Sequence, residues 1–182
     1  MLIREGLLTL LTGLIDVWDI VQMIDRKNVG LCLDTFHTAG GEWADPTTAT
    51  GRIDDLSEDE LEQRYKKSLN DLVQAVPKEK IYLLQISDAY KPPKPISKET
   101  DDNGLRPRGR WSHDFRPLTF HGGYLPIVPF TKAVLQTGFR GWFSMEVFDG
   151  GKDGKTKTSS DLKMYAKEAM ESYKRLIREG VA

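Results

Sequence analysis

Cysteine, long apolar runs and an excess of one charge are scarce or missing in this 182-residue chain. Each shortage excludes a class of protein or of partner. A single cysteine, Cys32, excludes an internal disulfide framework and predicts a reducing, cytoplasmic location. No run of about twenty apolar residues occurs, so the sequence predicts no membrane-spanning helix. The formal net charge of −1 predicts neither a nucleic-acid nor a membrane surface as a partner.

Strand-like and helix-like segments alternate along the chain. Apolar runs predict strands at 29–34, 80–86 and 141–148, and amphipathic periodicity predicts helices at 16–26, between Ser57 and Pro77, at 129–137 and from Leu162 to Gly180. This alternation is typical of α/β proteins with a parallel sheet. Roughly four strand–helix units are too few for a complete eight-unit barrel of about 250 residues, so the pattern leaves a small open sheet or part of a barrel.

Two segments fall outside this alternation. Residues 1–15 are rich in leucine and predict a buried helix. Residues 88–125 are interrupted by prolines and lack a helical period, which predicts a long functional loop with a short strand near 117–120. A polar, glycine-containing loop is also predicted from Thr38 to Asp55.

Oxygen-bearing side chains lie at or near the ends of the three predicted strands. These are Asp34, Gln85 and Glu146. In a parallel barrel the carboxyl ends of the strands meet at one rim, so we expect the three side chains to converge. Two carboxylates and an amide oxygen suit Mg²⁺ or Mn²⁺ better than Zn²⁺. Taken singly, Asp34 or Glu146 is equally well explained as a solvated or salt-bridged acid at a strand end. Gln85 alone is a weaker signal, since amides at strand ends often bond loop backbone.

Histidines and arginines near these positions supply further candidates. His37 follows Asp34 by three residues and, with an ordinary pKa of about 6.5, can exchange protons near neutrality. Four arginines (Arg106, Arg108, Arg110 and Arg116) crowd the long loop around His113. Because arginine binds carboxylates through a two-pronged contact, the loop favours a small anionic substrate. A loop histidine bonded to backbone and a solvated basic loop are the structural alternatives.

Four stretches of sequence resemble a known group of enzymes. The runs Gly30-Leu-Cys-Leu-Asp34-Thr-Phe-His37, Leu-Leu-Gln85-Ile-Ser-Asp88-Ala and Ser-Met-Glu146-Val-Phe are similar to the sugar-phosphate isomerase/epimerase superfamily of xylose-isomerase-like barrels. The run from Leu105 to Pro117 more specifically resembles the fungal 3-dehydroshikimate dehydratases of quinate catabolism. The resemblance extends over roughly residues 16–180.

The resemblance implies a (β/α)₈ barrel that converts 3-dehydroshikimate to protocatechuate and water. It implies one divalent metal, Mn²⁺ or Mg²⁺, held by Asp34, Gln85, Glu146 and a glutamate from an earlier strand. It further implies that His37 transfers protons. Arg110, with Arg108 and His113, would bind the small anionic substrate, Arg110 holding its carboxylate.

The front of the chain departs from the family pattern. Residues 1–15 do not resemble it, and we expect the earlier strand to be absent. We therefore predict a single domain over 1–182, the carboxyl-terminal half of a barrel, with a divergent segment at 1–15 and a long active-site loop at 88–125. Exposed barrel edges predict self-association. Two alternatives stay open: a sugar or sugar-phosphate isomerase/epimerase on the same barrel, and a non-catalytic barrel fragment.

Overall fold

Strands and helices alternate through most of the computed structural model, which describes the backbone of residues 2–4 and the whole of residues 13–155 and 161–182. In chain order the strands are β1 (Leu2–Arg4), β2 (Gly30–Asp34), β3 (Ile81–Ile86), β4 (Phe115–Arg116), β5 (Trp142–Met145) and β6 (Phe148–Asp149). The helices are α1 (Leu14–Ile24), α2 (Thr35–Glu42), α3 (Glu58–Ala75), α4 (Pro107–Asp114), α5 (Ile127–Gln136) and α6 (Leu162–Val181), with a 3₁₀ turn at Lys78–Lys80.

A four-stranded parallel sheet organises the chain. Its strand order is β1-β2-β3-β5, which is the order of the sequence, and helices lie between successive strands. This arrangement confirms the predicted α/β class and corresponds to part of a (β/α)₈ barrel.

The two faces of this sheet differ in character. Leu33 pairs with Leu84 and Leu84 with Phe143, and this face packs against the helices in the hydrophobic core. Asp34 pairs with Gln85 and Gln85 with Ser144, so their side chains share the opposite, inner face. The alternation along each strand therefore separates core packing from the polar groups at the carboxyl end of the sheet.

The outer helices follow their sequence signals closely. α3 begins at Ser57, whose side chain accepts a hydrogen bond from the Glu60 N–H while the Glu60 carboxylate accepts one from the Ser57 N–H. Its buried face (Leu61, Tyr65, Leu69 and Leu72) belongs to the hydrophobic core, where the helix contacts α5 and α1. α5 contributes Phe130, which is fully buried. Burial of such side chains stabilises the layer by about 1.5–3 kcal/mol each.

The front of the chain differs from the sequence prediction. Leu2–Arg4 form a strand parallel to β2 rather than part of a helix, so an earlier strand is present. The rest of the predicted helix at 5–12 lies outside the described residues. The predicted loop from Thr38 also changes, because α2 extends to Glu42 once Asp34 caps its first turn.

Residues 88–125 contain a helix that periodicity did not predict and a short strand that is displaced from its predicted position. α4 starts at Pro107, a residue favoured in the first helical turn, and its Trp111 is fully buried with Nε1 donating to the Tyr90 carbonyl at 2.9 Å. The strand lies at 115–116 rather than 117–120 and pairs antiparallel with β6. This segment folds over the carboxyl end of the sheet.

The inner face is covered unevenly. At the carboxyl end, Asp34 is completely buried, whereas Trp142, earlier on β5 and on the same face as Ser144, is 81 % exposed.

Within the described residues, no helix has the length and apolar character needed to cross a membrane.

Candidate active site

Asp34 ends β2 and caps α2 at the same time. Its Oδ1 accepts hydrogen bonds from the N–H groups of Phe36 (2.8 Å) and His37 (3.2 Å), as expected for an aspartate at a helix N-terminus. The tight passage from strand to helix fixes the carboxylate at the rim of the sheet. His37 is carried on the first turn of the same helix, so its position depends directly on this cap.

Arg116 occupies the centre of the site. Its Nη2 donates to both oxygens of Asp34, at 3.1 and 2.9 Å, and lies 3.1 Å from Oε2 of Glu146. The arginine is 1 % exposed. One guanidinium nitrogen thus bridges two carboxylates that come from different strands.

Glu146 reaches the site from the end of β5. Its backbone N–H donates to the Ile86 carbonyl at 3.0 Å, which extends the β3–β5 pairing by one residue. Its side chain is 17 % exposed and lies within hydrogen-bonding reach of Asp34. The predicted convergence of the two acids is therefore present in the structure.

The electrostatics of the acid pair reflect its burial. Burial raises the pKa of Asp34 above the ordinary aspartate range, and the contact with Glu146 acts in the same direction. The positive charges of Arg116 and His37 act in the opposite direction. Burial is the largest of these effects, so the pKa of Asp34 lies above that of a surface aspartate.

Gln85 lies beside Asp34 on the neighbouring strand. The two are register partners, and the Cys32 thiol donates to Gln85 Oε1 at 3.4 Å. This contact turns the amide oxygen toward the inner face. The Cys32 side chain therefore helps to orient a candidate ligand.

Two histidines border a small cavity in front of the acids. The cavity has a volume of about 200 Å³ and is lined by His37, Ser112, His113, Arg116, Glu146 and Phe148. His37 Nε2 lies 3.9 Å from Asp34 Oδ2, and the His113 ring stacks on Phe148 with 6.3 Å between ring centroids. Both imidazoles face the space next to the carboxylates. A group capable of proton transfer is thus within reach of a small bound molecule.

Neither of the two arginines predicted to bind substrate contacts the acid pair, although Arg108 lines an adjoining cavity of about 530 Å³ together with His37 and His113. Arg108 donates to the carbonyls of Gly40 and Ala44, and Arg110 donates to those of Ser97 and Glu99. The structure does not bring either guanidinium to the acid pair. Arg116 takes that place, and no sequence signal distinguishes it from the other arginines of the same loop.

The donor chemistry of the site fits a divalent cation. Asp34, Gln85 and Glu146 offer two anionic oxygens and one neutral oxygen, the ligand type that Mg²⁺ and Mn²⁺ prefer. Among the described residues, no three His, Cys, Asp or Glu side chains form a metal-binding group, so the Gln85 amide would be needed to make three. The position of Arg116 against both carboxylates opposes the fit.

Comparison with known proteins places the chain in a family. A family model described as "Xylose isomerase-like TIM barrel" matches residues 10–176. The chain belongs to this family. A solved structure of a xylose isomerase domain protein from Alicyclobacillus acidocaldarius shares the fold with a TM-score of 0.57 at 20 % identity, covering 93 % of this chain and 44 % of that one.

Two curated relatives match this chain over part of their own length. A 3-dehydroshikimate dehydratase of Neurospora crassa is 38 % identical over 138 residues, which is 72 % of this chain and 37 % of the relative. A 3-dehydroshikimate dehydratase of Pseudomonas aeruginosa is 29 % identical over 134 residues, or 74 % of this chain and 15 % of the relative. The chain therefore spans little more than a third of the Neurospora protein and less of the Pseudomonas one.

Proposed function

We propose that this chain carries the site of a metal-dependent dehydratase that converts 3-dehydroshikimate to protocatechuate and water. The observation that supports it best is the meeting of Asp34, Gln85 and Glu146 on one face, at the ends of three neighbouring parallel strands. The 38 % identity to the Neurospora dehydratase supports the proposed substrate class. Since the chain covers about a third of that relative, the activity is proposed for the site that these residues form.

The oxygens of Asp34, Gln85 and Glu146 would hold the metal, which we propose to be Mn²⁺ or Mg²⁺. When bound, such an ion supplies Lewis-acid polarisation of a carbonyl oxygen. The two carboxylates offset the charge of a divalent ion, and the amide adds a neutral donor. The resemblance also implies a fourth donor, a glutamate of an earlier strand, which the sequence does not assign to a residue of this chain.

His37 is the proposed proton carrier. Its imidazole borders the cavity 3.9 Å from the Asp34 carboxylate, which stabilises the imidazolium formed when the ring accepts a proton. In the dehydration it would take the proton from the carbon next to the substrate ketone. The same imidazolium would then protonate the departing hydroxyl, which leaves as water. One proton is taken up and one is given back, so His37 returns to its neutral form. The six-membered ring of the dehydrated substrate then tautomerises to the aromatic product.

Substrate contacts are proposed for the histidine of α4 and for the loop arginines. His113 lines the cavity opposite His37 and could hydrogen-bond a substrate oxygen. Arg108 donates to two backbone carbonyls and Arg110 donates to two others, which leaves each guanidinium with N–H groups that could donate to a substrate carboxylate.

A chimera tests the site without depending on the length of this chain. The matched 138-residue segment of the Neurospora dehydratase would be replaced by the corresponding residues of this chain, and protocatechuate formation followed by absorbance with and without Mn²⁺. We expect metal-dependent turnover, and a fall of about 100-fold or more for Glu146→Gln in the same chimera. Glutamine keeps the volume of the side chain but removes its charge.

Other outcomes would identify the alternatives. A folded chimera that turns over a keto-sugar but not 3-dehydroshikimate would favour an isomerase or epimerase. A folded chimera that is inactive on both would favour a non-catalytic fragment, a reading supported by the exposed inner face at Trp142 and by the contact of Arg116 with both acids.

A further inference from the structure

A positive charge already lies where a metal would be held. Arg116 Nη2 is 2.9 Å from Asp34 Oδ2 and 3.1 Å from Glu146 Oε2, so a single nitrogen contacts both carboxylates. A divalent ion would have to approach the same oxygens to about 2.0–2.6 Å. At that distance from both, it would meet the guanidinium at close range.

The lone pairs of Asp34 are also in use. Its Oδ1 accepts from two backbone N–H groups, those of Phe36 and His37, and from Arg116. A carboxylate oxygen offers two lone pairs, so this oxygen has none to spare for a further ligand. The other oxygen, Oδ2, receives the shorter of the two contacts with Arg116.

Arg116 is held in place by groups outside the acid pair. Its Nε donates to Ser87 Oγ at 2.9 Å and its Nη1 to Ser112 Oγ at 3.4 Å. The guanidinium carbon lies 4.5 Å from the centre of the Phe36 ring and 5.6 Å from that of Phe148. These contacts fix the planar group before any ligand arrives, so the arginine behaves as a built component of the site and not as a mobile surface charge.

We infer that Arg116 is an internal counter-cation of the Asp34–Glu146 pair, and that a divalent ion binds only by displacing it. The inference rests on the donor set of the proposed function. With Arg116 in place the three groups sum to one negative charge, whereas adding a divalent ion would make the sum positive in a buried site. Repulsion and burial both oppose that state, so arginine and metal exclude each other.

Direct binding of Mn²⁺ to the purified chain tests this without any turnover. Titration calorimetry, with free Mn²⁺ counted by electron paramagnetic resonance, would compare the parent chain with Arg116→Met, which keeps an unbranched side chain but removes the guanidinium group and its charge. We expect Arg116→Met to bind Mn²⁺ at least about tenfold more tightly. The double variant Arg116→Met/Asp34→Asn should lose this gain, because the ion then lacks one of its anionic ligands.

A matched arginine controls for general effects of charge removal. Arg140 donates to the carbonyls of Leu135 and Phe139 just before the amino end of β5, away from the acids. Arg140→Met should leave Mn²⁺ affinity within about twofold of the parent chain.

The possible results separate the inference from the proposed function. Equal Mn²⁺ affinity of the parent chain and Arg116→Met, with loss in Asp34→Asn, would overturn the inference and leave the donor set standing. Absence of binding in both would overturn the inference and the proposed metal together.

Folding of the variant gives a second readout. Because Arg116→Met leaves two carboxylates without their cation, Mn²⁺ should raise its melting temperature far more than that of the parent chain. If the variant folds only with Mn²⁺, the inference is supported. If it stays unfolded with and without Mn²⁺, the ion does not replace the arginine and the inference is wrong.

Discussion

Asp34 shows how one residue can serve structure and chemistry at the same time. Its carboxylate caps α2 through two backbone N–H groups and receives Arg116 from a segment 82 positions further along the chain. The cap fixes the oxygens in the orientation that the acid pair requires. A substitution at this position therefore disturbs the helix start and the buried ion pair together.

Asp34→Asn should lower the free energy of unfolding by about 3–5 kcal/mol, because it leaves the buried Arg116 without its main counter-charge. Urea unfolding of the purified chain measures this loss. Asp161 is a suitable control, since it also caps a helix through the Lys163 N–H but does so on the exposed surface. Asp161→Asn should cost less than about 1 kcal/mol, and equal losses at the two sites would contradict the role given to the Arg116 contact.

Asp88 should make stability depend on pH. Burial raises its pKa to about 6 from 3.8, although its oxygens also accept backbone hydrogen bonds, including those from Ala89 and Leu125. Between these two values the folded chain binds a proton that the unfolded chain has released, so stability falls as the pH rises through this window. The loss attributable to this group is about 3 kcal/mol at neutral pH.

Asp88→Asn tests this origin, because an amide keeps an oxygen acceptor and cannot ionise. The free energy of unfolding of parent and variant would be measured by urea at about pH 4 and about pH 7. The variant should gain stability relative to the parent chain as the pH rises. A difference between the two proteins that does not change with pH would contradict the assignment.

Most of what the sequence could predict about the site came from the types of residue that lie at the ends of predicted strands. Asp34, Gln85 and Glu146 each end an apolar run, and parallel strands bring such ends together, so their proximity followed from topology. Arg116 could not be ranked above Arg108 and Arg110 in the same way. All three lie in a segment without periodicity, and only the tertiary fold determines which guanidinium turns inward.

At the scale of elements, α4 shows where periodicity fails. It has eight residues with Trp111 as its buried member, so one aromatic ring replaces the apolar stripe that identifies a longer helix. The helix is fixed by tertiary contacts: the ring packs on Phe36 at 4.7 Å between centroids, and its N–H reaches the Tyr90 carbonyl. The predicted strands and long helices needed no such context, because their patterns extend over five or more residues.

Trp111→Ala should therefore unfold α4 and reduce overall stability by about 3–5 kcal/mol, the cost of removing a fully buried aromatic side chain. Urea unfolding followed by circular dichroism measures both effects. Leu162, the first residue of α6 and 85 % exposed, provides the control. Leu162→Ala should change stability by less than about 0.5 kcal/mol, and a similarly small effect of Trp111→Ala would show that α4 does not depend on its aromatic anchor.

At the scale of the whole molecule, the open sheet leaves strand edges unpaired and part of its inner face exposed in the described part of the chain. In the described part of the chain, β1 and β5 each pair with a neighbour on one side, and Trp142 exposes 81 % of its surface on the inner face. Unpaired strand edges beside an apolar surface favour association with another chain. The helices protect only the outer face, so any association should involve the inner one.

We therefore expect the purified chain to self-associate through this inner face, which analytical ultracentrifugation over a range of protein concentrations would detect. Trp142→Glu should weaken the association by about tenfold or more, because it places a charge where an apolar ring would be buried. Met23, which is 80 % exposed on the outer helix α1, offers a matched control. If Met23→Glu weakens association as much as Trp142→Glu, or if the parent chain stays monomeric throughout, the inner face is not the contact surface and the exposed tryptophan needs another explanation.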